Sequence, residues 1–396
     1  MKILMIEDDG CKAGGASIYM FTLKKELEKK GHLIKTLSSG YNNKEHFNDF
    51  SFRGFNTKSL GRVLLYLFNF SSYNSIKKLL KDFKPDIVHL HYIFSQTSPS
   101  VLLPLKDIPT VMTLHDGVMI CPLNRLNTSF EICNRSFGGY HCIKCLGKKY
   151  FYELIRNKTY KKLLKNIDIF IAPSKNIEEY FNNQEFIKNK LKVLYNGINL
   201  LEYSEITKGN NLLYIGSLSK GKGVEYLLKA MLLIIEKFPT AHLNIVGDGE
   251  EKNNLEKLTK KLKLEKYVTF SGRIPNKKIG EYYKKTTIVV IPSICPESFS
   301  LVGLEAMSAG RAVIGTCLGA IPEWLDEGIT GYLVKAKNPK QIAEKATQLF
   351  SDRKLIEQMG KNARKKAEQF TIEKHGDKIE KIYKELIEKY KAKEAS

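Results

Sequence analysis

Two glutamates eight residues apart, Glu297 and Glu305, lie in the most chemically legible stretch of this 396-residue chain, IPSICPESFSLVGLEAMSAGRAVIGTCLGAIPEW from Ile291 to Trp324. Ile288 to Pro292 reads as a strand and Gly303 to Ser308 as a helix, so the free helix amides fall near Phe299, Ser300, Leu301 and Val302. A helix N-terminus that follows a parallel strand binds anions, because unpaired N–H groups and the helix dipole both point at the ligand. A diphosphate suits such a site, and two carboxylates beside it suit vicinal hydroxyls. Taken alone, the pair reads equally as a surface glutamate and an early-helix glutamate favoured by the dipole.

Other residues carry weaker signals of the same kind. Lys220 and Lys222 sit in GSLSKGKGV, either as cations for phosphate or as a solvated loop before a helix. Gly14, Gly15 and Ala16 follow the first strand, where small residues let backbone approach a phosphate or an acceptor, or simply make a tight turn. His115, in TLHDG, stands at a strand end. Cys121, Cys133, Cys142 and Cys145 follow it, with CxxC at 142–145. Four thiolates so spaced could hold a structural zinc or another metal, or remain reduced thiols.

The elements that must position these groups alternate strand and helix. Lys2–Ile6, His32–Leu37, Asp86–His91, Thr110–Leu114, Ile167–Ala172 and Lys192–Tyr195 read as strands, with an amphipathic helix over Ser17–Lys30 that stops at Gly31. The aromatic-rich text from Gly40 to Lys84 predicts loops and one or two helices. Asn199–Asn211 loses apolar periodicity and reads as a linker. A second series follows, with strands at Leu212–Gly216, Ala241–Gly247, Tyr267–Ser271, Ile288–Pro292 and Ala312–Gly315. The expectation is α/β: a first domain over 1–198, a linker over 199–211, a second domain over 212–370, and a long helix over 371–396 returning to the first.

The stretch containing Glu297 and Glu305 resembles the E-x7-E region of the retaining glycosyltransferases of family four, and YNGIN, GSLSKGKGVEYLLKA, IVGDGEE and VTFSGRI resemble its neighbouring blocks in order and spacing. The resemblance implies a GT-B fold, two Rossmann-like domains facing across a cleft. It implies a nucleotide diphosphate sugar as donor and no cofactor required for catalysis. Glu297 would bind hydroxyls of the transferred sugar and Glu305 those of the ribose. The amides of Phe299, Ser300 and Leu301 would hold sugar and distal phosphate, and Lys222 the diphosphate, with Gly14, Gly15 and Ala16 also on the donor side. His115 would stand beside the anomeric carbon. The family usually has an arginine where this chain has Ser217, leaving Lys220 as a substitute. The implied reaction is front-face return, in which the acceptor attacks the side from which the diphosphate leaves. An epimerase on the same scaffold and a catalytically silent nucleotide-sugar-binding partner are the competing readings.

Composition sets the frame. The length suits two domains, and 43% apolar with 27% charged residues excludes a disordered or fibrous chain. No apolar run reaches a membrane span, and Glu7, Asp8 and Asp9 interrupt the first one, so a cytoplasmic protein is expected. The net charge of +22 favours anionic partners, but no nucleic-acid motif accompanies it. Leu146–Lys165 is basic and partly amphipathic, which fits either a packed helix with a lysine face or contact with an anionic membrane presenting a glycan or lipid-linked acceptor.

Overall fold

The computed structural model describes residues 1–9, 14–40, 48–55, 63–94, 96–121, 140–206 and 209–395. Among the described residues the chain divides into two compact units: one takes residues 1–121, 140–197 and 372–395, the other residues 198–371.

In the first unit, β1 (Lys2–Asp9), β2 (Leu33–Ser39), β3 (Phe50–Phe52), β4 (Ile87–Leu90), β5 (Thr110–Thr113), β6 (Ile169–Ala172) and β7 (Leu191–Val193) form a parallel sheet in the order β3-β2-β1-β4-β5-β6-β7. Ile3 pairs with Ile34 on one side and with Ile87 on the other. Ile3, Leu4, Met5 and Ile6 are all fully buried. A run that is apolar on both faces is what a strand covered on both sides requires. Among the helices of this unit are α1 (Gly15–Lys29), α2 (Tyr140–Leu146) and α3 (Tyr150–Leu164).

The C-terminal helix, Ile372–Ala395, packs on α1 and buries a stripe that includes Ile372, Ile379, Tyr383 and Leu386. Polar contacts fix its position. His375 Nδ1 lies 2.8 Å from the Tyr195 carbonyl and so must carry the proton, which leaves Nε2 to accept from the Tyr19 hydroxyl at 2.7 Å. Tyr383 meets His89 Nδ1, and His89 Nε2 reaches Thr113 Oγ1 at 2.8 Å. Residues near the two ends of the chain therefore share one buried network with the ends of β4 and β5.

In the second unit, β8 (Asn211–Ile215), β9 (His242–Val246), β10 (Val268–Gly272), β11 (Ile288–Ile291), β12 (Ala312–Thr316) and β13 (Gly331–Val334) are parallel in the order β10-β9-β8-β11-β12-β13. The helix α4 (Val224–Lys237) buries Val224, Leu227, Leu228, Met231 and Ile234, the three-and-four spacing of one helical face. A second helix, α5 (Leu301–Ser308), follows β11.

Three departures from the expected elements have physical causes. The stretch read as a linker belongs to the second unit: Ile206 lies in its core, fully buried Arg311 donates to the Ser204 and Glu205 carbonyls, and Asn211 already opens β8. The absence of apolar periodicity there marks an irregular path held by an arginine, not a free tether. The strand β3 went unread because it has three residues, two of them exposed. The strand β13 begins at a glycine that its neighbour demands, since a Cβ on Gly331 would lie 2.0 Å from the Val313 carbonyl oxygen.

Candidate functional site

In both sheets the strand order reverses between neighbouring parallel strands, β1 and β4 in one unit and β8 and β11 in the other. Open parallel sheets bind ligands outside the carboxyl ends of strands at such a switch point. In the second unit the turn after β8 carries Lys220 and Lys222, and the segment after β11 carries Glu297 and leads into α5. The topology alone therefore brings Lys222 and Glu297 together.

Close backbone packing fixes that meeting. The Gly221 carbonyl accepts from the Ile294 amide at 2.8 Å, and a Cβ on Gly223, whose φ is +67°, would stand 2.1 Å from the Pro292 carbonyl oxygen. Only glycine lets the lysine turn press so closely on the end of β11. Lys222 Nζ lies 2.8 Å and 2.9 Å from the two carboxylate oxygens of Glu297, and the Ser293 hydroxyl donates to one of them. Burial works to raise the Glu297 pKa, but the Lys222 ammonium and the hydrogen bonds outweigh it and hold the carboxyl below its ordinary range. Glu297 is thus an anion with its partner already in place.

The start of α5 is similarly fixed. Its N-cap, Ser300, adopts a left-handed conformation at φ 67°, ψ 75°, a strained choice for a residue with a side chain. The Phe299 carbonyl accepts from Trp324 Nε1 at 2.7 Å, and a Cβ on Gly303 would fall 2.1 Å from the Trp324 ring. Trp324, fully buried, is thereby wedged under the first turn of α5. Along the helix, Glu305 is half-buried and accepts from the Tyr283 hydroxyl at 3.3 Å. Burial dominates here and lifts its pKa to about 7, with the Tyr283 hydrogen bond offsetting only part of the rise. The two glutamates therefore differ: Glu297 is charged and paired, while Glu305 sits at the edge of ionisation in neutral solution. Lys220 and Ser217 are exposed on the same turn.

In the first unit, Gly14 caps α1 and Gly15 begins it, next to Ala16. A Cβ built on Gly14 or Gly15 would meet no protein atom within 4 Å, so intramolecular packing does not demand either glycine. His115 packs edge-on against Tyr19 at 5.4 Å between ring centroids and stacks on His91 at 5.6 Å, with its Nε2 3.4 Å from His91 Nδ1. Burial pushes its pKa down to about 3, so the imidazole is neutral and can donate one hydrogen bond and accept another. Asp116 accepts from the Val118 amide at 3.0 Å, closing a turn.

Among the cysteines, Cys142 is buried with Leu146 and Tyr150 in a small apolar cluster, Cys121 and Cys145 are partly buried, and Cys133 lies outside the described residues. Among the described residues no three His, Cys, Asp or Glu side chains gather as metal ligands. Residues that the sequence motifs do not reveal are the supports: Ser293, Tyr283, Trp324 and Gly319, at which a Cβ would come within 2.4 Å of the Glu297 backbone. Ser293, Gly319 and Trp324 stand in the same stretch as the two glutamates, but their partners are visible only in three dimensions.

Two doubly wound parallel sheets of this order define the GT-B class of two Rossmann-like domains. HepE of Anabaena in complex with UDP-glucose superposes with a TM-score of 0.72 at 19% identity over 97% of this chain and all of that one. A family model for glycosyl transferases group 1 matches residues 202–366, and one for glycosyltransferase family 4 matches 13–201. The chain belongs to the family-four glycosyltransferases. Relatives extend over nearly the full length: an uncharacterised glycosyltransferase of Methanocaldococcus jannaschii is 28% identical over 98% of this chain and 99% of its own. The N-acetyl-alpha-D-glucosaminyl L-malate synthase of Bacillus anthracis is 27% identical over 94% of both chains.

Proposed function

We propose that this chain moves the sugar of a nucleoside diphosphate sugar onto a hydroxyl of a glycan or lipid-linked acceptor, retaining the anomeric configuration and using no catalytic metal. The bond from the anomeric carbon to the donor phosphate oxygen breaks, a bond to the acceptor oxygen forms, and the acceptor proton passes to the departing diphosphate. The observation that carries this reading is the two-pronged Lys222–Glu297 pair beside the start of α5. An ammonium and helix amides offset the charge that grows on a leaving diphosphate. That supply of positive charge supports the metal-free reading. Glu297 is assigned to the sugar hydroxyls and Glu305 to the ribose, with the Phe299, Ser300 and Leu301 amides on sugar and phosphate and Lys220 as a second cation. In the first unit, His115 and the Gly14–Ala16 turn are assigned to the reacting sugar and the acceptor. HepE, crystallised with UDP-glucose, makes that compound the first donor to try.

Cell-surface polysaccharide or glycolipid synthesis in the cytoplasm, at the inner face of the cell membrane, fits a lipid-linked acceptor. Among the described residues no helix is long and apolar enough to cross a membrane. The test is a thermal-shift and turnover screen against nucleotide sugars. A true donor at 100 times its dissociation constant should add about 2.7 kcal/mol of stability, and Lys222→Ala and Glu305→Ala should each abolish the response. No stabilisation by any donor at millimolar concentration would sink the proposal.

A further inference from the structure

The helix α3 is built inside out. Its polar residues Glu153, Arg156 and Asn157 are buried, while Phe151 and Ile155 are 73% and 55% exposed. The inward polar groups are satisfied: Arg156 pairs with Glu153 at 3.0 Å, donates to the Phe94 carbonyl, and lies 3.7 Å from the centre of the Phe94 ring, while Asn157 donates to the Met119 carbonyl at 3.1 Å. Of the outward apolar groups, Phe151 meets the Tyr150 ring edge-on at 5.4 Å between centroids, yet both it and Ile155 stay mostly in solvent. Phe151 and Ile155 are one turn apart, and Lys158 and Lys162, both exposed, continue the same helical stripe. Ahead of α3, Tyr140 and Ile143 on α2 are also exposed, at 75% and 40%.

Charge on this run has one sign. Between residues 140 and 165 there are seven lysines, and the single acid, Glu153, is turned inward against Arg156. Large apolar side chains spent on solvent mark an interaction surface, and a lysine stripe continuous with them and free of acid selects an anionic one. A globular partner presents its apolar groups in a pocket; a bilayer interface takes aromatic and aliphatic groups at the headgroup boundary while its anionic lipids take the lysines.

We propose that the outer face of α2 and α3 docks on an anionic lipid bilayer, with Phe151 and Ile155 entering the interface and Lys158 and Lys162 lying over the headgroups. The proposal is independent of the donor chemistry above. The test is co-flotation of the full chain with phosphatidylcholine vesicles, with and without phosphatidylglycerol, at low and high salt. The wild type is expected to float with anionic vesicles at low salt. Phe151→Ser with Ile155→Ser should weaken partitioning about tenfold or more, and Lys158→Gln with Lys162→Gln about thirtyfold. Lys378→Gln with Lys381→Gln, an equal change of charge on the C-terminal helix, should leave it within about twofold of wild type if each surface lysine acts only where it meets lipid. All variants are first checked for an unchanged melting temperature. Three results would overturn the proposal: no flotation of the wild type, an effect of the control pair equal to that of the stripe, or binding indifferent to Phe151 and Ile155, which marks a purely electrostatic polyanion contact. A variant that loses vesicles but keeps its donor-induced thermal shift separates this surface from the donor site.

Discussion

Lys222 and Glu297 are each other's solvent replacement, and that makes their removal asymmetric. Lys222→Ala strands a carboxylate whose side chain is only 12% exposed. We expect a loss of about 1–2 kcal/mol, moderated because Lys222 itself reaches water. Adding Glu297→Gln should recover most of that loss without restoring any donor response; urea denaturation of the single and double variants measures both. Glu305 behaves in the opposite sense. Its folded pKa of about 7 lies above the unfolded value near 4.3, so its contribution to stability is complete below pH ~4 and is lost as pH rises through 7. Glu305→Gln should therefore stabilise the unliganded protein by about 1 kcal/mol at pH 8, with the gap closing as pH falls towards 4. Equal melting temperatures at pH 8 would show that burial does not burden this carboxylate.

At the scale of elements, α5 depends on a residue outside it. Gly303→Ala drives a methyl into the Trp324 ring, where a Cβ has 2.1 Å of room. The expected cost is about 2 kcal/mol or more, together with a weakened donor response, because Trp324 also holds the Phe299 carbonyl. Calorimetry with and without UDP-glucose would separate the two effects. Strands such as β1, β8 and β11 were legible because a short, unbroken apolar run bounded by polar or turn residues suits a strand covered on both faces. Glu297, Glu305 and Lys222 were legible through the blocks around them. What stayed hidden obeys no local period. Ser204 and Glu205, in the stretch read as a linker, are held by Arg311 from a distance, and α3 looks like an ordinary basic helix until burial shows that its charged pair faces inward and its phenylalanine outward. Sequence spacing reports which residues share a face; it does not report which face meets the protein.

Across the first unit, His89 and His91 at the end of β4 join His115 and His375 from two other stretches of chain, and all four are held neutral by burial, at about 3 for His89 and His115, about 4 for His375 and well below the ordinary value for His91. Their folded pKa values lie below the unfolded value near 6.5, so the stability they allow is complete above that pH and is lost as pH falls towards the folded values. Between pH 6.5 and 5, His89, His115 and His375 should each cost about 1–2 kcal/mol, with His91 acting in the same direction. The urea midpoint should drop steeply over that interval, and a flat profile would contradict the buried, neutral cluster. The same cluster bears on how the protein is made. Its first unit is interrupted by the second, and the helix bearing His375 and Tyr383 is synthesised after the second unit. On the ribosome the second unit has its whole sequence before the first does, and domains generally fold as units. The unit begun earlier is completed later: His89 and Tyr19 wait for Tyr383 and His375 until the whole second unit has been synthesised.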